Sequence, residues 1–230
     1  MGLLRTVRDC VYGMAVGDAL GVPYEFRPRG SFTCTDMVGL GTHNQPAGTW
    51  SDDTSMSLAL CDSYRELGDI NCDDILVKFR NWINEGAYTA DGNVFDYGNA
   101  TRQALDTGCG LTSEYSKGNG SLMRCLPMVF MECSDCDIRE VSAITHATDD
   151  CCQACVDMIE NVCHFVSAND DDSICYYAHC ISRTGSYLSE GCGIAEGEAI
   201  AYLIAPPLEA MYGVDAALKA ADVRMCVLYA

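Results

Sequence analysis

The chain has 230 residues, and 14 lysines and arginines set against 33 aspartates and glutamates leave a formal charge of −19. A protein so acidic repels a phosphate backbone, and no Lys/Arg cluster supplies a local basic stripe, which excludes a general nucleic-acid binder. Apolar residues make up 49% and charged residues 20%. That is a globular balance in a chain long enough to bury a sizeable core, so one domain over residues 1–230 is expected.

No uncharged apolar run reaches the ~18 residues of a membrane span. The opening MGLLRTVRDCVYG has charges at Arg5, Arg8 and Asp9 and lacks the apolar stretch of a secretion signal. A cytoplasmic protein with no membrane partner is expected. The 16 cysteines then read as reduced thiols packing as small hydrophobes, as at Cys61 and Cys125, rather than as a disulfide scaffold.

Helical periodicity dominates. Leu3, Leu4, Val7, Val11, Met14 and Ala15 share one helix face. SDDTSMSLALCDSYRELG, from Ser51, opens with a capping residue and acids and closes at Gly68. Ile75, Leu76, Phe79, Trp82 and Ile83 form a second stripe, and NATRQALDTG makes a short helix from Asn99 to Gly108. Further helices are expected from about Ser121, Asp137, Asp149, Glu196 and Val214. In the helix from Ser121, Leu122, Leu126 and Val129 would bury one face. Convincing strand patterns are absent. Two long loops, Pro23 to Gly48 and Ala87 to Gly98, remain. Loops of that length in a compact helical domain usually serve a site.

Three segments concentrate polar groups at helix ends. In GDALG, Asp18 interrupts an apolar face, and the plain reading is a carboxylate bonded to a neighbouring helix start. In GTWSDDTSM, four consecutive oxygen side chains, Ser51 to Thr54, stand at a helix N-terminus. Capping accounts for some of them, but adjacent aspartates repel each other unless a cation lies between them, and such hard donors suit Mg²⁺, Mn²⁺ or Ca²⁺. In KGNGSLMR, Gly118, Asn119 and Gly120 permit close backbone approach before a helix that begins at Ser121, with Arg124 one turn on. This is a phosphate-binding arrangement, or an ordinary Asn-Gly turn.

In order and at these distances, GDALGVPYEF, GTWSDDTSM, YGNATRQAL, GNGSLMR and ITHATDD resemble the ADP-ribosylglycohydrolase family, which includes dinitrogenase-reductase-activating glycohydrolase. The likeness runs from about Gly13 to Asp150, and more faintly through GIAEGEAIA to about residue 222. It implies a compact all-α, single-domain orthogonal helical bundle with two Mg²⁺ or Mn²⁺ ions, acting on ADP-ribose or an ADP-ribosylated protein. Ser51, Asp52 and Asp53 would be metal ligands. Gly118, Asn119, Gly120, Ser121, Met123 and Arg124 would hold the diphosphate and its ribose, with His146 and Asp149 or Asp150 facing the same cleft. Glu25, Asp53 and Asp96 would be the catalytic acids. Loss of a leaving group from the anomeric carbon builds positive charge on the ribose, so one acid should position water while another group assists departure.

The family's second metal half-site, Gly-Asp-(Ser/Thr)-Asp-(Ser/Thr), is expected just after a helix like LEAMYGVDAALKAAD. Here VRMCVLYA follows instead, so the resemblance implies a domain incomplete at its C-terminal side. A relative that binds ADP-ribose without catalysis is the alternative. A third reading is a zinc-stabilised module: Cys133/Cys136 and Cys152/Cys155 are separated by 15 residues, a zinc-ribbon spacing. A weaker cluster is Cys175 to Cys180 with His179.

Overall fold

In the computed structural model, the described residues are 6–28, 31–34, 36–167, 177–181 and 200–204; for 164–167 and the last two stretches this covers the backbone only. The chain divides into two compact units, Leu3–Glu160 and Asn161–Ala230 joined by Met1–Gly2, where the sequence suggested one domain.

The first unit is all-α, as expected. Its helices are α1 (Val7–Gly21), α2 (Asp52–Leu67), α3 (Cys72–Glu85), α4 (Asn99–Thr107), α5 (Leu122–Cys125), α6 (Asp135–Ala143) and α7 (Asp149–Ser167), the last running on past residue 160. Beyond it lie β1 (Tyr177–Ile181) and β2 (Ile200–Ile204), paired antiparallel with Tyr177 opposite Ile204. β2 replaces the helix expected from about Glu196. Its sequence, IAYLI, is a continuous apolar run, which periodicity alone cannot assign to helix or strand. The helix expected near Val214, the Cys175–Cys180 cluster and the C-terminal segment all fall on residues outside the described side chains.

α2 is the centre of the first unit and packs against α1, α3 and α5. Met56, Ala59 and Leu60 are fully buried on it, facing a core that includes Ile75, Phe79 and Trp82 of α3 and Leu105 of α4. Small residues let its neighbours come close: Ser55, Ser57 and Ser63 are also buried. Two of these hydroxyls are satisfied within the helix, Ser55 Oγ donating to the Ser51 carbonyl and Ser57 Oγ to that of Asp53, each at 2.7 Å. The helix stops where the sequence says it should. Gly68, Gly86 and Gly108, just past α2, α3 and α4, all adopt the left-handed conformation that closes a helix.

The start of α2 is built differently from an ordinary cap. Ser51 makes no side-chain cap bond to its own helix. Instead Asp18, one turn before the end of α1, accepts from the Ser51 N–H (2.9 Å), the Thr54 N–H (3.1 Å), Ser51 Oγ (2.7 Å) and Thr54 Oγ1 (2.6 Å). The plain reading of Asp18 is therefore its role: a carboxylate from one helix satisfies the orphan donors of the next and complements its dipole.

The stretch after Ser121 departs from expectation. α5 is only four residues long, and Leu126–Phe130 continues as a 3₁₀ turn. Pro127 cannot donate to the α-helical ladder, so the α-turn ends there. The inward face is Arg124, Cys125 and Met128 rather than Leu122, Leu126 and Val129, which are only half-buried. No helix among the described residues is long and apolar enough to cross a membrane.

Removing the Asp18 carboxylate strands two backbone N–H groups and two hydroxyls at the start of α2. We expect Asp18→Ala to lower unfolding free energy by about 2–4 kcal/mol, read from urea denaturation. Asp18→Asn, which keeps acceptor oxygen but loses charge, should lose less.

Candidate functional site

Four carboxylates surround the N-terminus of α2. Asp52 is buried and Asp53 partly so. Glu25 arrives from the turn after α1 and Asp96 from the loop before α4. Burial pushes the Asp52 carboxyl up to about 8, reinforced by the charges of Asp53, Asp96 and Asp18. Asp53 rises to about 7, again mainly by burial and then through Asp18 and Asp96. Glu25 rises to about 9: burial acts first, then a hydrogen bond with Asp96, then the charges of Asp96, Asp52 and Asp53. Burial first, and the charges of neighbouring acids second, favour the protonated forms of Glu25, Asp52 and Asp53.

His43 also joins this group. Its Nε2 lies 2.6 Å from Glu25 Oε2 and 3.7 Å from Asp96 Oδ2. Sequence reasoning passed over His43, since a lone histidine in a Gly- and Asn-rich loop carries no spacing signal. Asp96 itself takes a positive φ of 50°, a conformation that aspartate tolerates better than most residues.

Beside the acids lies a cavity of ≈ 280 Å³ lined by Asp52, Asn99, Tyr115, Gly118, Asn119, Gly120, Met123 and His146, among others. A smaller one of ≈ 200 Å³ lies on the other side of the glycine loop, against Lys117, Ser121, Asp150 and Cys151. The fold thus brings Asp52, the Gly118–Gly120 turn, Met123 and His146 to one cavity. Gly120 is required there: a Cβ on it would fall 2.6 Å from His146 Cε1. His146 is buried, hydrogen-bonded through Nδ1 to Thr145 Oγ1 at 2.8 Å. Burial, aided by the Arg124 charge, lowers its imidazole to about 4, so it is neutral at ordinary pH.

Other expected residues lie elsewhere. Arg124 lines neither cavity. It is fully buried, its guanidinium donating to the Gly120 and Val141 carbonyls and lying 5.0 Å from the Phe79 ring centre. Burial lowers it only to about 10, so it stays charged. Its role here is to tie the glycine loop to α6 from behind rather than to face a ligand. Ser121 is likewise buried, accepting from Ser142 Oγ at 2.9 Å. Asp149 points to solvent and pairs with Arg139 at 3.0 Å, while Asp150 pairs with Lys117 at 2.5 Å. The zinc spacing does not close: among the described residues, the one set of three or more Cys, His, Asp or Glu side chains with ligand atoms in mutual reach is Glu25, His43 and Asp96. Cys125, Cys151, Cys152 and Cys155 are buried thiols outside any disulfide.

An all-α unit thus sets an acidic cluster at one helix start beside a glycine turn, with Asp52 and Gly118–Gly120 lining one cavity. A model of the ADP-ribosylglycohydrolase family matches residues 2–225, and the chain belongs to that family. It is 35% identical over 165 residues to the ADP-ribosylarginine hydrolase Tri1 of Pseudomonas putida, a match covering 65% of this chain and 44% of that protein. A solved structure, an ADP-ribosylglycohydrolase-related protein complex, superposes with a TM-score of 0.57 at 29% identity, over 68% of this chain and 54% of that one. A separate likeness is closer and shorter. Over 77 residues the chain is 70% identical to the bacterial microcompartment shell protein EutL of Clostridium perfringens, covering 34% of this chain and 36% of that protein. The chain thus spans less than half the length of these two curated relatives.

Proposed function

We propose that the first unit is a divalent-metal-dependent hydrolase that releases ADP-ribose from a modified side chain. The observation that carries this reading is the set of carboxylates around the start of α2, three of them raised by burial and by neighbouring charge, beside a cavity walled by the Gly118–Gly120 backbone. The donors fit Mg²⁺ or Mn²⁺. Asp52 and Asp53 are hard oxygen ligands that the protein leaves uncompensated, and Ser51, whose hydrogen is committed to Asp18, keeps an oxygen lone pair to offer. Bound there, such an ion would polarise water or a ribose hydroxyl.

The chain's own groups supply the rest. The backbone amides of Gly118 to Gly120 offer a cradle for a diphosphate. Glu25 and Asp96, both approaching His43 at the edge of the acidic cluster, are the acids placed to give a proton to a departing group or take one from water. Neutral His146 closes the cavity wall without adding charge.

An ADP-ribosylated arginine peptide is the substrate to try, since the Tri1 relative is named for that bond. Release of ADP-ribose should require Mg²⁺ or Mn²⁺, and Asp53→Ala should slow it by ~10²-fold or more. No release with either ion, together with calorimetric binding of free ADP-ribose, would contradict hydrolysis and leave a binding module.

The EutL likeness supports a second reading for the other third of the chain. The Tri1 match leaves about one third of the chain uncovered, and the EutL match is about one third of the chain in length. On this reading about one third of the chain is a shell-type segment, and the chain associates with a microcompartment shell. Produced together with such a shell, the full chain should sediment with the particles. Recovery of the chain in the supernatant would refute the association.

A further inference from the structure

The loop joining α1 to α2 folds back on itself. Thr42 Oγ1 donates to the Glu25 carbonyl at 2.5 Å, and Gly41, at a φ of +64°, lies so close to Pro23 that a Cβ would fall 2.2 Å from the Pro23 carbonyl oxygen. This clasp, made of backbone and one hydroxyl, holds residues 23–25 against 41–43 whatever the charge state of their side chains. The His43 ring is further oriented by Phe95 and Phe26, with ring centres 5.4 and 5.9 Å away.

Three ligating atoms result, His43 Nε2 and one oxygen each from Glu25 and Asp96, all within 4.8 Å of one another. A simple ion pair does not account for them. Nε2 carries at most one proton and can donate it to one carboxylate, yet both carboxylates approach that nitrogen, at 2.6 and 3.7 Å. Donors bound at ~2.0–2.2 Å to one ion stand roughly 3–3.5 Å apart, a range that the separations from His43 Nε2, 2.6 and 3.7 Å, fall on either side of. The side chains keep 15%, 32% and 23% exposure, which leaves an open side for water to complete a coordination shell.

We propose that Glu25, His43 and Asp96 form a second cation site, distinct from Ser51–Asp53, that takes Mn²⁺ or Zn²⁺ in preference to Mg²⁺. The preference follows from the donors. Carboxylate oxygens suit Mg²⁺ and Mn²⁺ alike, whereas an imidazole nitrogen favours transition ions and is a poor ligand for Mg²⁺. The ion would neutralise the acids that approach His43 from two loops, so its arrival would also tie the loop before α2 to the loop before α4.

Binding is tested without reference to catalysis. The metal-free full chain is loaded with Mn²⁺, and pulsed EPR reads whether a ¹⁴N nucleus is coupled to the bound ion. Coupling is expected in the natural protein and in His146→Gln, and should be lost in His43→Gln while Mn²⁺ remains bound at the aspartates. Zn²⁺ should remove the coupled signal before the uncoupled one. Bound Mn²⁺ with no nitrogen coupling in the natural protein would overturn the site, as would coupling that survives His43→Gln. Either outcome leaves the hydrolase reading standing, since that rests on ADP-ribose release.

Discussion

The contact that the rest of the first unit depends on is the Asp18 carboxylate seated on the start of α2. Four donors converge on it, two of them backbone N–H groups that would otherwise have no partner. Because Asp18 does the capping, Asp52 and Asp53 are released from that task. Burial first, and then the neighbouring Asp18 carboxylate, raises the cost of ionising Asp52 and Asp53. A helix start usually complemented by one acid thus gathers several.

The same logic of displacement explains the glycine loop. The buried cation nearest to it, Arg124, is spent on carbonyls: it holds Gly120 and Val141 together under the loop. A guanidinium with no carboxylate partner is costly to bury, and hydrogen bonds to two carbonyls with an aromatic face beneath it offset part of that cost. What faces the cavity is therefore uncharged backbone and neutral His146. An anionic ligand would meet dipoles on one side and, across the cavity, acids that only a metal makes hospitable.

Much of this was legible in the sequence because it rests on local rules. The ends of α2, α3 and α4 follow from single glycines, the carboxylate in GDALG foretold its partner, and SDDT carried more acid than a cap requires. Other features depend on contacts that no local pattern encodes. Arg124 lies one turn beyond a glycine turn, as a phosphate ligand would, and only the packing of Phe79 and α6 shows that it turns inward. Pro127 was visible, yet the Leu122, Leu126 and Val129 spacing masked its effect on α5. His43 gains meaning from two loops meeting around Gly41, a close approach 18 residues along the chain from Glu25. IAYLI reads equally as helix or strand until its partner at Tyr177–Ile181 is known.

The central claim is that the aspartates at the start of α2 hold a divalent ion. Anomalous scattering at the manganese edge, from crystals of the full chain grown with Mn²⁺, addresses it directly. The account predicts a manganese peak within coordination distance of the Asp52 and Asp53 carboxylates. Crystals that contain manganese with no peak near either carboxylate would contradict it.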